Sequence, residues 1–172
     1  FHLLRRQVRR DVRKPLVVSA EDALLWLSHP GFFEPEAIEG VNSRVVKAKA
    51  HLLEQFKSGK IKRRLSPEQI VAICLRESQF WKKDDPNGFY IDLNCLGDTD
   101  YAGDEKAHGP IQISLRAHAS VSAIKGFGLR STDFLGDLAL SEMVYQAWID
   151  EHLPEQDTPE LTFEWAARYW NG

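Results

Sequence analysis

Residues 66–78 read Ser66-Pro67-Glu68-Gln69-Ile70-Val71-Ala72-Ile73-Cys74-Leu75-Arg76-Glu77-Ser78. Ser66 and Gln69 have the spacing of a capping box, in which each side chain satisfies the other residue's backbone N–H. Pro67 stands at the first helical position, where its missing N–H costs nothing. Residues 70–75 are all apolar. A helix that is apolar on every side belongs in the middle of a domain, so this stretch predicts a central, buried helix.

Glu77 follows Ile70 by seven residues, Ile73 by four and Cys74 by three. Those offsets place it on an apolar face at the end of the helix, where a side chain can look out of the core into a cleft. Burial disfavours the charged carboxylate and raises its pKa. The negative end of the helix dipole pushes the same way. A carboxyl kept protonated near neutral pH is what a general acid requires. The competing reading is an exposed helical glutamate, or a core carboxylate paired with arginine.

Outward from this helix the punctuation remains helical. Upstream, Ser19 caps a short helix carrying Ala23, Leu24, Trp26 and Leu27, which His29-Pro30-Gly31 stops. Pro35 opens a second stretch with the stripe Val41, Val45, Ala48, Leu52 and Phe56, closed by Gly59. Lys60 to Arg64 reads as a solvated basic connector. Residues 1–18 form a basic lead-in, with Arg5, Arg6, Arg9, Arg10, Arg13 and Lys14 against the single acid Asp11. Leu4, Val8 and Val12 at spacing four would suit a docking helix.

Downstream, residues 84–109 differ in kind, with Pro86, Asn87-Gly88 and an acid- and glycine-rich run from Asp98 to Asp104. Phe89-Tyr90-Ile91-Asp92-Leu93 predicts one short strand of a small sheet. A long irregular stretch inside a compact domain is usually functional. Helices resume from Asp133 to His152, capped by Ser131 or Thr132, and from Thr158-Pro159-Glu160 onward with Leu161, Phe163, Trp165 and Ala166. The expected fold class is mainly α (α+β), with a small β/loop region after the helix that carries Glu77.

Composition bounds the function classes. The chain has 172 residues, 43% hydrophobic and 27% charged, which excludes disorder and collagen-like repeats. Lys+Arg is 22 and Asp+Glu is 25, a net charge of −3 with no overall pull towards nucleic acid or acidic lipid. No apolar run reaches the roughly 18 residues of a membrane helix, and neither nucleic acid nor membrane insertion is expected. The start at Phe1 and the lack of an apolar leader are read as an excised or processed domain. Cys74 and Cys95 allow one disulfide at most; Cys74 reads as a free core residue, and a Cys74–Cys95 bond stays open.

Three short motifs now stand in order. Arg76-Glu77-Ser78-Gln79-Phe80 resembles the Glu-Ser signature that ends the catalytic helix of goose-type lysozymes and soluble lytic transglycosylases. His108-Gly109-Pro110-Ile111-Gln112-Ile113 resembles their Gly-Leu-Met-Gln-[Ile/Val] motif. Ala167-Arg168-Tyr169-Trp170-Asn171-Gly172 is similar to their Ala-Leu-Arg-Tyr-Tyr-Asn-Gly-Gly block, with Trp170 at one tyrosine. The motifs span residue 66 to the last residue; residues 1–65 carry no part of the likeness.

The resemblance implies a lysozyme-like helical domain over residues 19–172, with N-terminal helices at 19–65 and a motif-bearing core at 66–172. Its substrate would be peptidoglycan glycan strands, cut at the β-1,4 bond between N-acetylmuramic acid and N-acetylglucosamine. Glu77 would be the general acid and Ser78 would hydrogen-bond near the cleavage point. Gln112 would line the sugar cleft, and Trp170 and Asn171 would form its wall; core packing is the other reading of Trp170. No cofactor is implied. Goose-type lysozymes carry a Gly-Asp pair shortly before Gly-Leu-Met-Gln and a second Asp just after it. Here Gly103-Asp104 makes Asp104 the candidate to position water, whereas the second site falls on Ser114.

An inverting hydrolase needs a base about 6.5–9.5 Å across from the acid. A lytic transglycosylase has none, and the sugar's own 6-hydroxyl attacks to leave a 1,6-anhydro end. Asp98 or Asp100 could substitute as base if their loop folds inward. The same loop begins like a calcium site, but the EF-hand positions 5 and 12 fall on Ala102 and Gly109; a looser calcium site on Asp98, Asp100 and Asp104 remains as an alternative to a solvated acidic loop. His108 reads as a turn or cleft residue rather than a metal ligand.

Two function classes follow: a peptidoglycan-cleaving glycosidase, or a lysozyme-like binding module with weak or no catalysis. Chitin shares the backbone sugar and stands as an alternative substrate. Such a muramidase could remodel cell walls, serve a phage, or be an antibacterial toxin with an inhibitory protein as partner. Its place of action would be the periplasm or cell wall, or outside the cell after secretion.

Overall fold

The structure is a computed structural model that describes residues 14–36, 42–97, 106–115, 121–152 and 159–170. It is mainly helical with one small antiparallel sheet. The elements run β1 (Val17–Ser19), α1 (Ala20–Leu27), α2 (Ser43–Lys57), α3 (Pro67–Ser78), β2 (Gln79–Lys82), β3 (Asp85–Asp92), α4 (Leu138–His152) and α5 (Pro159–Trp170). Short 3-10 turns at Pro30–Phe33, Ser122–Ile124 and Ser131–Phe134 connect them. Among the described residues no helix is long and apolar enough to cross a membrane.

The local capping signals operate as read. Ser19 accepts from the amide of Asp22 and starts α1. Ser66 and Gln69 close both halves of the capping box of α3. Gly59 follows α2 with φ +80°, a left-handed conformation that glycine adopts at little cost. The start of α2 differs from expectation. Asn42 is its cap, accepting from the amide of Arg44, so Pro35 lies well before the helix; Val41 is outside the described residues. Helix α4 also starts later than Asp133. A 3-10 turn fills 131–134, Gly136 turns the chain at φ +67°, and the Asp137 carboxylate accepts from the amide of Leu140.

The core centres on α4. Every residue from Leu138 to Ile149 is buried. By contrast α3 buries Ile70, Val71, Ile73 and Cys74 but leaves Ala72 exposed and Leu75 half-buried. The expectation that α3 is the helix enclosed on all sides is therefore corrected: α4 holds that place. Ser141, Glu142 and Gln146 interrupt its apolar run and mask it in the sequence. Tertiary partners satisfy two of them. Gln146 accepts from the amides of Arg64 and Leu65 and donates to the Leu65 carbonyl. Glu142 takes a two-pronged bond from Arg63, at 2.9 and 3.3 Å. The segment 60–64, read as a solvated connector, thus supplies the counter-charge to a fully buried carboxylate. The Arg63 guanidinium also lies 4.4 Å from the Phe33 ring and 4.2 Å from the Phe56 ring.

The sheet has the order β1-β3-β2, with Val18 opposite Ile91 and Gln79 also opposite Ile91. The single predicted strand is its centre, extended to Asp85–Asp92, and β2 is an addition. Strand β1 draws the end of the basic lead-in into the domain. Leu16 donates to the Asp92 carboxylate and accepts from the amide of Leu93, and Asn94 donates to the Lys14 carbonyl. Residues 14–18, on the lead-in side of the boundary expected at 18/19, are thus hydrogen-bonded to or paired with β3 and the residues that follow it. The six-cation segment before it, including the Leu4-Val8-Val12 stripe, lies outside the described residues apart from Lys14.

Candidate active site

Helix α3 ends without a turn. Gln79 is already extended, at φ −60° and ψ 136°, so Glu77 sits in the last helical turn directly before a strand. Its side chain is largely enclosed, 14% exposed. Burial raises its pKa above the ordinary carboxyl value, and Arg76 pulls in the other direction. That pull is weak in geometry: the Arg76 guanidinium stands 4.0 Å from the carboxylate and is itself 45% exposed. Glu142 is a buried carboxylate paired with Arg63.

Ser78 is buried and its hydroxyl is 2.7 Å from the carbonyl oxygen of Pro110 and 2.9 Å from that of Cys74. A hydroxyl has one proton to donate. The shorter contact runs to Pro110 and joins the end of α3 to the turn 108–113. Ser78 is thus directed at backbone, in a positioning role, rather than at open cleft.

The turn is closed by reciprocal bonds between His108 and Ile113, at 3.0 and 3.1 Å. Gly109 has φ +84°, and a Cβ there would collide with the Phe134 carbonyl, so this position requires glycine. Gln112 has φ +63°, the one positive value at a non-glycine residue among those described. Such strain persists only where the surroundings over-determine it, and it clusters at functional sites. The surroundings here are two bonds from the Gln112 amide, to the carbonyls of Gly109 (2.8 Å) and Cys95 (3.0 Å). Gln112 is half-buried and locks the turn against residue 95. His108 is buried, with Nδ1 2.6 Å from the Lys106 carbonyl, the position of a turn residue.

The third motif reaches the same place through Arg76, whose guanidinium donates to the Ala167 carbonyl of α5 at 2.9 Å. Three segments far apart in the chain therefore meet at the end of α3, joined by the two neighbours of Glu77. Trp170 ends α5, with its side chain outside the described residues; Asn171, Asp98, Asp100 and Asp104 also lie outside them. Ser114 is buried. Among the described residues no group of three His, Cys, Asp or Glu side chains could hold a metal ion.

No protein-family model, curated protein or solved structure matches this chain. The resemblance to lysozymes is carried by the sequence motifs alone.

Sequence reading missed two groups near Glu77. Tyr145, buried in α4, has its hydroxyl pKa raised by burial and then by the negative charge of Glu77. Cys95 is a free, half-buried thiol with Sγ 3.9 Å from the Glu77 carbonyl; burial, Asp92 and Glu77 push it up to about 11. It is a thiol, not a thiolate, at neutral pH. Cys74 is also free and fully buried, as expected for a core cysteine.

Proposed function

We propose that this protein is a peptidoglycan muramidase in which Glu77 is the general acid. The observation that carries the reading is a carboxyl group raised by burial, placed where three lysozyme-like motifs are tied together by Ser78–Pro110 and Arg76–Ala167. The protonated Glu77 donates its proton to the glycosidic oxygen between N-acetylmuramic acid and N-acetylglucosamine, and the C–O bond breaks through an oxocarbenium-like state. In the hydrolytic reading Asp104 positions water on the opposite face of the ring. The protein then acts on glycan strands in the cell wall, in the periplasm or after secretion, and needs no cofactor.

A second reading, a lytic transglycosylase, draws support from Ser114. This residue stands where goose-type lysozymes have their second acid, and it is a buried serine. Without that base the 6-hydroxyl attacks and the product ends in a 1,6-anhydro sugar.

Mass spectrometry of fragments released from purified peptidoglycan, with Glu77→Gln alongside, tests both readings. Ordinary reducing ends support the hydrolase and 1,6-anhydro ends the transglycosylase. Fragments that persist undiminished with Glu77→Gln overturn the general-acid assignment. Binding without any cleavage by the wild type moves the protein to the binding-module class.

A further inference from the structure

Strands β2 and β3 carry two large apolar side chains into solvent. Trp81 is 67% exposed and Phe89 61% exposed. Phe80 lies opposite Tyr90, and a register irregularity follows between Phe80 and Lys82. The Lys82 ammonium stands 4.6 Å from the Tyr90 ring, which puts Lys82 on the Tyr90 side. Trp81 therefore points to the other side, and so does Phe89 by the two-residue alternation of a strand. That is the face of Gln79, Ile91 and Val18, where Ile91 and Val18 are buried. One sheet face thus runs from the core outward to two exposed aromatic rings, starting one residue after Ser78.

The Tyr90 side makes the ribbon rigid. Tyr90 donates to the Asp85 carboxylate at 2.5 Å, under the Lys82 ammonium. Gly88 permits the close approach, because a Cβ there would lie 2.5 Å from both the Asp85 carboxylate and the Tyr90 ring. A preorganised ribbon that leaves its two largest apolar groups to water has the form of a binding surface.

We propose that Trp81 and Phe89 form a stacking platform for the sugar rings of a glycan strand that extends from the Glu77 site. This rests on the function proposed above and names further residues that hold its substrate. The size of the patch favours a saccharide. Two aromatic side chains at this exposure offer roughly 200–300 Å², far below the about 800 Å² per partner of a stable protein interface. A pyranose ring has an apolar C–H face that fits an aromatic ring and hydroxyls at its rim. Gln79, on the same face and exposed, supplies an amide donor and acceptor beside the rings.

The test is co-sedimentation with purified peptidoglycan sacculi in a Glu77→Gln background, which keeps the polymer intact. The double substitution Trp81→Ala/Phe89→Ala weakens binding at least tenfold, with an unchanged circular dichroism spectrum. Tyrosine at both positions restores most of the affinity, because a ring face is retained. Leu25→Ala, which removes another exposed apolar side chain on α1, leaves binding unchanged. Equal binding by the Glu77→Gln protein with and without the double substitution overturns the platform while the muramidase reading stands. So does a double variant whose only defect is loss of a protein complex on size exclusion. Should the wild type fail to cleave peptidoglycan at all, the function falls separately. Titration with N-acetylglucosamine oligomers then decides the platform: a fluorescence change lost in Trp81→Phe upholds it, and no change overturns it.

Discussion

Helices α3 and α4 each carry a glutamate out of water, and the two carboxylates have opposite fates. Glu142 is 3% exposed and gripped by Arg63, which is stacked against two phenylalanine rings. Glu77 is 14% exposed and stands 4.0 Å from the guanidinium of Arg76, which is itself 45% exposed. Burial raises both pKa values; Arg76 opposes the rise at Glu77 by its charge, and Arg63 opposes it at Glu142 by its charge and by hydrogen bonds. A paired buried carboxylate is held for architecture. A carboxyl whose pKa burial raises is the kind of group that the proposed general-acid role of Glu77 requires.

The sharpest way to break this contrast is Glu77→Gln. Removing a general acid costs about 10²–10⁴-fold in rate, while stability holds or rises because a desolvated acid is replaced by a neutral isostere. Steady-state turnover of peptidoglycan and thermal unfolding on the same sample measure both. A substantial loss of stability would place Glu77 with Glu142.

Arg63→Ala is the mirror experiment. It strands Glu142 without its partner and is expected to destabilise the fold by about 3–5 kcal/mol, read from denaturant unfolding. The Glu77 chemistry should survive in the fraction that remains folded. Next in size is Ser78→Ala, which leaves the buried Pro110 carbonyl without this donor. A loss of about 1–3 kcal/mol is expected, with a fall in kcat as the 108–113 turn loosens from α3. Ser66→Ala removes the cap of α3 and should cost about 1 kcal/mol, with kcat little changed.

The pH dependence is the finest discriminator. Glu77 has a raised pKa in the folded state, so as pH rises the unfolded chain loses its proton first. Its contribution to stability is complete below the ordinary carboxyl pKa of 4.5 and is lost as pH rises through the higher folded value. Activity that needs the protonated form declines over the same window. Unfolding free energies between pH 4 and 8 should therefore slope downward less steeply in Glu77→Gln than in the wild type. Glu142, whose shift has the same sign, adds to the slope, and Glu151, whose pKa is lowered, opposes it.

Much of α3 and the site around it was legible because the signals are local. The capping box is four consecutive residues and Pro67 is at its fixed place. The offsets that put Glu77 on a half-buried face follow from helical period alone. The order of the three motifs is likewise written along the chain. Helix α4 was harder to read. Its burial depends on Arg63 and on backbone groups at 64 and 65, all some 80 residues away, and those partners are what allow Glu142 and Gln146 inside. Strand β1 was hidden for a related reason: Val17 to Ser19 become a strand because β3 offers them an edge.

By itself, then, the sequence determined the mainly helical class, the caps that start α1 and α3, and the nomination of Glu77. These follow from interactions between residues a few positions apart. Only the tertiary structure decided that Arg63 grips Glu142, because that depends on which cation the fold delivers. It alone showed that Ser78 and Gln112 bond the carbonyls of Pro110, Gly109 and Cys95, since a hydroxyl or amide proton goes to the carbonyl that packing brings within reach. The meeting of residues 76–78, 110 and 167 likewise required the folded chain, because no local rule links positions that far apart.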